Sequence, residues 1–272
     1  MKKWIAAILS LLLICTACAA AAEEDAETLT RQGSDALDRG DYTKALELYT
    51  RAADLGSAGG MNGLGYLYDF GYGVEKSDAK ALEYYTKAWE AGYLTSLYNM
   101  ACLYDEGIDG TEPDYAKAIE YYTLLADQGD ADAVFALGLH YAYGLGVEKS
   151  PEKAVEYYRR GAEMGESYSL NNLGWAYYEG NGVEQDYEKA MEYSLKAAAQ
   201  GMASAYDTIA ILYRDGLGVK QDYEKAADLF WMAWASGDEE TAEESKEKYD
   251  QLVKDGKIPA DYVPKEVIFE TK

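Results

Sequence analysis

The sequence has little of what metal sites, disulfides and nucleic-acid binding require. It contains one histidine, His140, and three cysteines, of which only Cys102 lies beyond the amino-terminal leader described below. One histidine with no cysteine nearby cannot form a metal-ligand cluster, and one cysteine cannot form a disulfide within a mature chain. Lys and Arg number 25 against 49 Asp and Glu, for a formal net charge of -24. Because such a surface repels phosphate groups, we expect no nucleic acid among its ligands.

The first residues have the pattern of an export signal. Two lysines precede an apolar run and a stretch of small residues, and the run is too short to serve as a permanent membrane anchor. Two processing routes remain open. Cleavage after Ala22 would remove a leader, 1–22, and release the protein into the periplasm or the medium. Alternatively, removal of 1–17 with lipidation of Cys18 would follow a pattern that resembles a bacterial lipoprotein signal and would anchor the protein to a membrane.

Glycines recur through the rest of the chain about 36 residues apart. They stand at Gly56, Gly92, Gly129, Gly165, Gly201 and Gly237. A second series keeps the same step, with an Asp or Ser four residues before an Ala, at Asp41, Ser77, Asp114, Ser150, Asp186 and Asp222. Side-chain oxygens of Asp and Ser cap helix amino termini, and apolar residues follow each cap at helical spacing. The period therefore predicts a solenoid of antiparallel helix pairs.

Four of the units carry a Gly-x-Gly-Val turn directly before a helix, a pattern that can also cradle phosphate. The turns read "FGYGVEKS", "YGLGVEKS", "EGNGVEQD" and "DGLGVKQD". Their recurrence, their acidic surroundings and the lack of a Lys-Ser/Thr pair at P-loop spacing argue against a nucleotide site. We predict that the first glycine ends a helix in the left-handed conformation and that the second permits a tight reversal. The remaining unit has Ile108, Asp109 and Gly110 in this place, which predicts a differently shaped loop.

These motifs resemble the Sel1-like repeat family, a relative of the tetratricopeptide repeat. The resemblance covers five units, 57–92, 93–129, 130–165, 166–201 and 202–237, and the segment 23–56 looks like an ordinary tetratricopeptide repeat. It implies an all-α fold, a right-handed α-solenoid superhelix of antiparallel helix pairs. A capping helix is expected over 238–256. The tail, 257–272, could either dock as an extended strand on the last helices or stay mobile.

Some columns of the first helix in each pair vary while the repeat pattern is constant. At about 100° per residue they point away from the inward stripe, and in tetratricopeptide-like solenoids the first helices line the concave side. Aromatic rings beside carboxylates suit a peptide carrying Lys or Arg. We predict a ligand-binding face formed by Asn62, Tyr66, Asp69, Tyr98, Asp105, Phe135, Asn171, Trp175, Tyr178, Asp207 and Arg214. At equivalent positions, Cys102, Leu139 and Ile211 can instead pack against the next repeat.

The sequence favours a non-catalytic scaffold or adaptor of the bacterial envelope that binds protein or peptide and needs no cofactor. His140 is predicted to face solvent, and the mature chain has no G-x-S-x-G or S-x-x-K constellation. The alternative is an envelope enzyme acting on peptidoglycan or β-lactams, or an accessory subunit that regulates one. A cysteine-rich branch of the Sel1 family suggests it, but this chain lacks the paired cysteines of that branch. A lesser alternative is calcium bound by the acidic segment Asp105–Glu112, although its spacing does not fit an EF-hand loop.

Overall fold

The computed structural model describes residues 25–237 and 239–267, which contain thirteen α-helices and no strand. The leader with Cys18, and residues 268–272, lie outside the described residues. None of the described helices is both long and apolar enough to span a bilayer. The helices belong to two compact units that divide between Pro113 and Asp114.

The first unit contains two and a half helix pairs and one short 3-10 helix. Its elements are α1 Ala26–Asp38, α2 Tyr42–Asp54, α3 Ala58–Phe70, α4 Asp78–Glu90, α5 Thr95–Glu106 and the 3-10 helix Ile108–Gly110. The second unit continues the alternation of first and second helices. Its elements are α6 Tyr115–Asp127, α7 Ala131–Tyr143, α8 Pro151–Glu163, α9 Ser167–Glu179, α10 Tyr187–Ala198, α11 Ala203–Asp215, α12 Tyr223–Ser236 and α13 Glu239–Lys254.

The six predicted caps begin the six second helices. Each side-chain oxygen accepts a hydrogen bond from the backbone amide three residues later, as Asp41 does from Lys44. This bond satisfies one of the amides that the first helical turn leaves without a partner. The regular placement of Asp and Ser in the sequence therefore sets where each second helix starts.

The two glycines of each turn have different functions. The first ends a first helix in the left-handed conformation, as predicted, at Gly71, Gly144, Gly180 and Gly216. The second also has a positive φ and lies against the start of the preceding second helix. At Gly146, a Cβ would stand less than 3.0 Å from the Cβ of Tyr115. The second glycine is therefore required for packing between repeats as well as for the reversal.

The divergent loop is differently shaped, as predicted. Asp109 stands where the other units have the second glycine, and its φ of 46° is left-handed. Its carboxylate accepts from the backbone amide of Asp78 at 2.9 Å, while its own amide donates to the Asp78 carboxylate at 2.8 Å. These reciprocal bonds join the loop to the start of α4. Among the described residues, no group of three or more His, Cys, Asp or Glu side chains is placed to hold a metal ion.

In three helix pairs, α1/α2, α3/α4 and α7/α8, a tyrosine ring of the second helix covers a glycine of the first. Tyr85 is fully buried, and a Cβ on Gly65 would meet its ring at 2.5 Å. Tyr158 and Gly138 repeat this arrangement at 2.6 Å. Tyr122 is buried at the equivalent position of α6. Where the facing residue is glycine, the missing side chain lets the two helix backbones approach closely.

The predicted solvent exposure of His140 is wrong. The residue is 2% exposed, and its imidazole ring lies beside the rings of Tyr115 and Tyr122 of α6. Its Nδ1 lies 2.9 Å from the carbonyl oxygen of Leu145, so Nδ1 carries a proton and donates. The preceding second helix packs over this side of α7, a contact that the α7 sequence alone does not specify.

Candidate binding surface

The largest exposed ring on the first helices of the second unit is Trp175, on α9. This helix turns Leu170, Leu173 and Tyr177 into the core, so the adjacent column carrying Asn171 and Trp175 points outward. Trp175 is 39% exposed. Its ring centroid lies 5.0 Å from that of Tyr178, which supports it from one side.

Trp175 forms a wall shared by two open cavities. One, of about 270 Å³, is also lined by Asn171 and residues of α11 and α13. The other, of about 230 Å³, is lined by Tyr143, Asn172 and Glu179 together with the start of α8. A single indole therefore contributes apolar area to both cavities, with amide groups on either side of it.

Further aromatic side chains surround this position. Tyr143 is 70% exposed at the end of α7, and the ring of Tyr168 stacks on Phe135 at 5.4 Å. Burial raises the pKa of Tyr178, so its hydroxyl is protonated and can donate a hydrogen bond at neutral pH. Sequence reasoning missed Tyr143 and Tyr168. Tyr143 directly precedes a turn glycine, at a position that varies between the units, and this variation was the available signal.

Two predicted ligand-binding residues on α11 form side-chain contacts with other residues of this chain. Asp207 accepts from the Ser245 hydroxyl at 2.8 Å and from Lys248 Nζ at 2.7 Å, so both carboxylate oxygens bind α13. Arg214 forms a two-point ion pair with the adjacent Asp215 at 2.6 and 2.7 Å. Ile211, between them, is buried, which agrees with the packing alternative. The capping helix α13 therefore binds both oxygens of Asp207, the carboxylate that was predicted to attract a basic partner.

Of the predicted ligand-binding residues in the first unit, two are hydrogen-bonded to other side chains of this chain and one belongs to a cluster of aromatic rings. Asn62 accepts from the side-chain amide of Asn99 at 3.1 Å, and Asp69 accepts from the hydroxyl of Tyr85 at 3.1 Å. Tyr66 belongs to a cluster of rings with centroid distances of 4.6 to 6.0 Å, formed by Tyr42, Tyr66, Phe70 and Tyr72. On α5, Tyr98, Cys102 and Asp105 are half-buried. The ring cluster offers apolar surface to a ligand, since Phe70 is 53% exposed.

The structure also contains a repeating Lys-Tyr contact that the sequence analysis did not predict. In four units a lysine of the second helix lies 4.9 to 5.1 Å above a tyrosine ring of the first, at Lys80–Tyr68, Lys153–Tyr141, Lys189–Tyr177 and Lys225–Tyr213. Each ammonium group is attracted by the ring below it. Several of the few lysines in this acidic chain are therefore held against the fold.

Comparison with known proteins identifies the repeat. A sequence model described as the Sel1 repeat matches residues 29–57, 58–93, 95–130, 131–166, 167–202 and 205–238. The first match includes much of the helix pair that sequence analysis describes as an ordinary tetratricopeptide repeat. No curated protein matches the chain significantly.

Two solved structures are similar over most of this chain. A Sel1 repeat protein from Oxalobacter formigenes is 26% identical, with a TM-score of 0.72, and the match covers 87% of this chain and 92% of that one. The second is c5321, a protective antigen present in uropathogenic Escherichia coli strains that displays an SLR fold. It is 29% identical, with a TM-score of 0.68, and the match covers 93% of this chain but 59% of c5321.

Sel1 repeat proteins mediate protein–protein interactions and are generally non-catalytic scaffolds. The six matched repeats agree with the helix pairs, their capped starts and the glycine turns described above. The chain belongs to the Sel1 repeat family.

Proposed function

We propose that this protein is a non-catalytic adaptor that binds a peptide or protein segment at the surface centred on Trp175. The observation that carries the proposal is the position of this indole, which is partly exposed and lines two cavities at once. A tryptophan in such a position can bury a large apolar area against a partner at a low cost in side-chain entropy.

The surroundings of Trp175 favour a partner that combines apolar and hydrogen-bonding groups. Asn171 and Asn172 offer amide donors and acceptors on either side, and Tyr143 extends the apolar area. Glu179 adds a carboxylate to the cavity that also contains Lys149. With a net charge of -24, the protein attracts basic segments over longer distances, which supports a peptide carrying Lys or Arg.

The test compares two tryptophans with the same exposure. Trp175 and Trp89 are each 39% exposed, but Trp89 lies on a second helix of the first unit. We expect Trp175→Ala to weaken partner capture about thirtyfold or more, the effect of losing a binding hot spot of about 2 kcal/mol. Trp89→Ala should leave capture unchanged.

Capture is measured by crosslinking in living cells followed by mass spectrometry of the recovered partners. Circular dichroism establishes that both variants retain their helix content. Equal recovery of partners by folded Trp175→Ala and Trp89→Ala would reject this surface as the binding site.

We also propose that the adaptor acts in the bacterial envelope. The basic, apolar and small-residue segments of 1–22 support export, and the cysteine at position 18 supports a lipid-anchored form. Mass spectrometry of the native amino terminus distinguishes the two forms. An unprocessed terminus beginning at Met1 in a cytoplasmic fraction would reject both.

A further inference from the structure

The segment after the last helix lies along the outer face of α12. This segment, residues 259–267, is called the strap. The Tyr262 hydroxyl and the Lys265 amide each donate to Asp228 at 2.9 Å, and the Val267 amide lies 3.2 Å from the Met232 sulfur. From α13, the Tyr249 hydroxyl donates to the Tyr262 carbonyl at 3.3 Å. Residues 262–267 of the tail therefore lie against α12, in agreement with the docked arrangement that the sequence left open.

The residues beneath the strap differ from their counterparts in every other second helix. The column of Asp228 otherwise contains only glutamate, at Glu47, Glu83, Glu120, Glu156 and Glu192, and all five are exposed. Asp228 is 7% exposed. Only in α12 does this column carry the shorter acid, and only there is it covered.

The next column changes together with it. Four residues further along the helix, the other second helices carry Arg51, Lys87, Leu124, Arg160 and Lys196. Three of these bases pair with the glutamate one turn before, as Lys87 does with Glu83 at 2.6 Å. In α12 this position is Met232, so the surface ion pair of the repeat is replaced by one acceptor carboxylate and an apolar side chain.

The strap is suited to these two residues. Pro264 has no backbone N–H and fixes its own φ, which disfavours a helix and keeps the segment extended. Amides two residues apart point to the same side of an extended chain, so those of Lys265 and Val267 both face α12. Burial and the bond to Asp228 raise the pKa of Tyr262, so its hydroxyl is protonated and donates.

We propose that the outer face of α12, with Asp228 and Met232 as its anchors, is a peptide-binding site of which the strap is the resident ligand. The site recognises an extended segment with a tyrosine followed by free amides three and five residues later. A peptide of this pattern displaces the strap. This site is separate from the surface centred on Trp175.

The first measurement uses the full chain and follows hydrogen exchange at the amides of Lys265 and Val267. Both should be protected. Loss of a hydrogen bond to a carboxylate should make Tyr262→Phe speed their exchange about ten- to a hundredfold. Val263 is 76% exposed, so Val263→Ala is the matched control and should change nothing. Equal exchange in the two variants would overturn the assignment of Asp228 as an anchor.

The second measurement tests binding in trans with a fluorescent peptide of residues 259–267. An attached strap competes at an effective concentration in the millimolar range, so the host is full-length Tyr262→Phe, in which that competitor is weakened. The peptide should bind this host saturably and more tightly than it binds the unmodified chain. A peptide with Phe in place of Tyr should bind about ten- to a hundredfold more weakly.

A change in the host completes the test. Asp228→Glu restores the residue found in the other second helices, so the helix itself should tolerate it, while the longer side chain displaces the acceptor oxygens. Peptide affinity should then fall. Failure of the peptide to bind the Tyr262→Phe host, or affinity unchanged by both Asp228→Glu and the Phe peptide, would overturn the proposal.

Discussion

The second glycine of each turn allows packing between repeats to be measured separately from backbone strain. Gly146 and Gly165 have similar positive φ values of 69° and 82°. A Cβ on Gly146 would collide with Tyr115, whereas a Cβ on Gly165 would meet nothing within 4 Å. Either alanine variant costs about 1–2 kcal/mol for the left-handed conformation, and both gain the same small benefit from a stiffer unfolded chain.

Only Gly146→Ala should carry an additional cost of about 1–3 kcal/mol for overpacking against α6. Its free energy of unfolding should therefore fall by about 2–5 kcal/mol in total, against about 1–2 kcal/mol for Gly165→Ala. Urea unfolding followed by circular dichroism measures both, and hydrogen exchange at the start of α6 should accelerate only in Gly146→Ala. Equal losses of stability in the two variants would refute the inference that this glycine joins one repeat to the next.

Two further predictions concern buried tyrosines. In Gly138→Ala, the new Cβ would lie 2.6 Å from the Tyr158 ring, which costs about 1–3 kcal/mol for overpacking, while alanine favours the helix by about 1 kcal/mol. The free energy of unfolding should therefore fall by up to about 2 kcal/mol, and a more stable variant in urea unfolding would contradict this packing. The pKa of half-buried Asp69 is raised above 3.8, chiefly by burial and despite its bond to Tyr85. Because its folded pKa exceeds the unfolded value, its contribution to stability is full below about 3.8 and is lost as pH rises through the folded pKa, a dependence that Asp69→Asn should abolish. A carboxyl titration by NMR with a midpoint below 3.8 would show that the sign is wrong.

The sequence predicted the repeat unit because its signals are local. A cap such as Asp41 contacts an amide three residues away, and Gly71 ends the helix in which it lies. Repetition of these signals along the chain made the helix pairs and their starts predictable. The same regularity made the irregular loop at Asp109 recognisable as different.

The binding residues were less predictable, because helical spacing gives a direction from the axis but not the neighbouring side chain. Trp175 and Asp207 occupy outward columns of neighbouring first helices. Trp175 lines open cavities, whereas Asp207 is bound by Ser245 and Lys248 of the capping helix. Their partners are far apart in the sequence, so periodicity could not distinguish them.

By itself, the sequence determined the all-α repeat, the start of each second helix and the glycine turns, since all of these depend on contacts within a few residues. Only the tertiary structure decided that His140 is buried, that Asp207 is paired with Lys248 and that residues 262–267 lie on Asp228. Each of these outcomes depends on which distant side chain fills the space beside a residue. That choice is made by packing between helices, which no single repeat encodes.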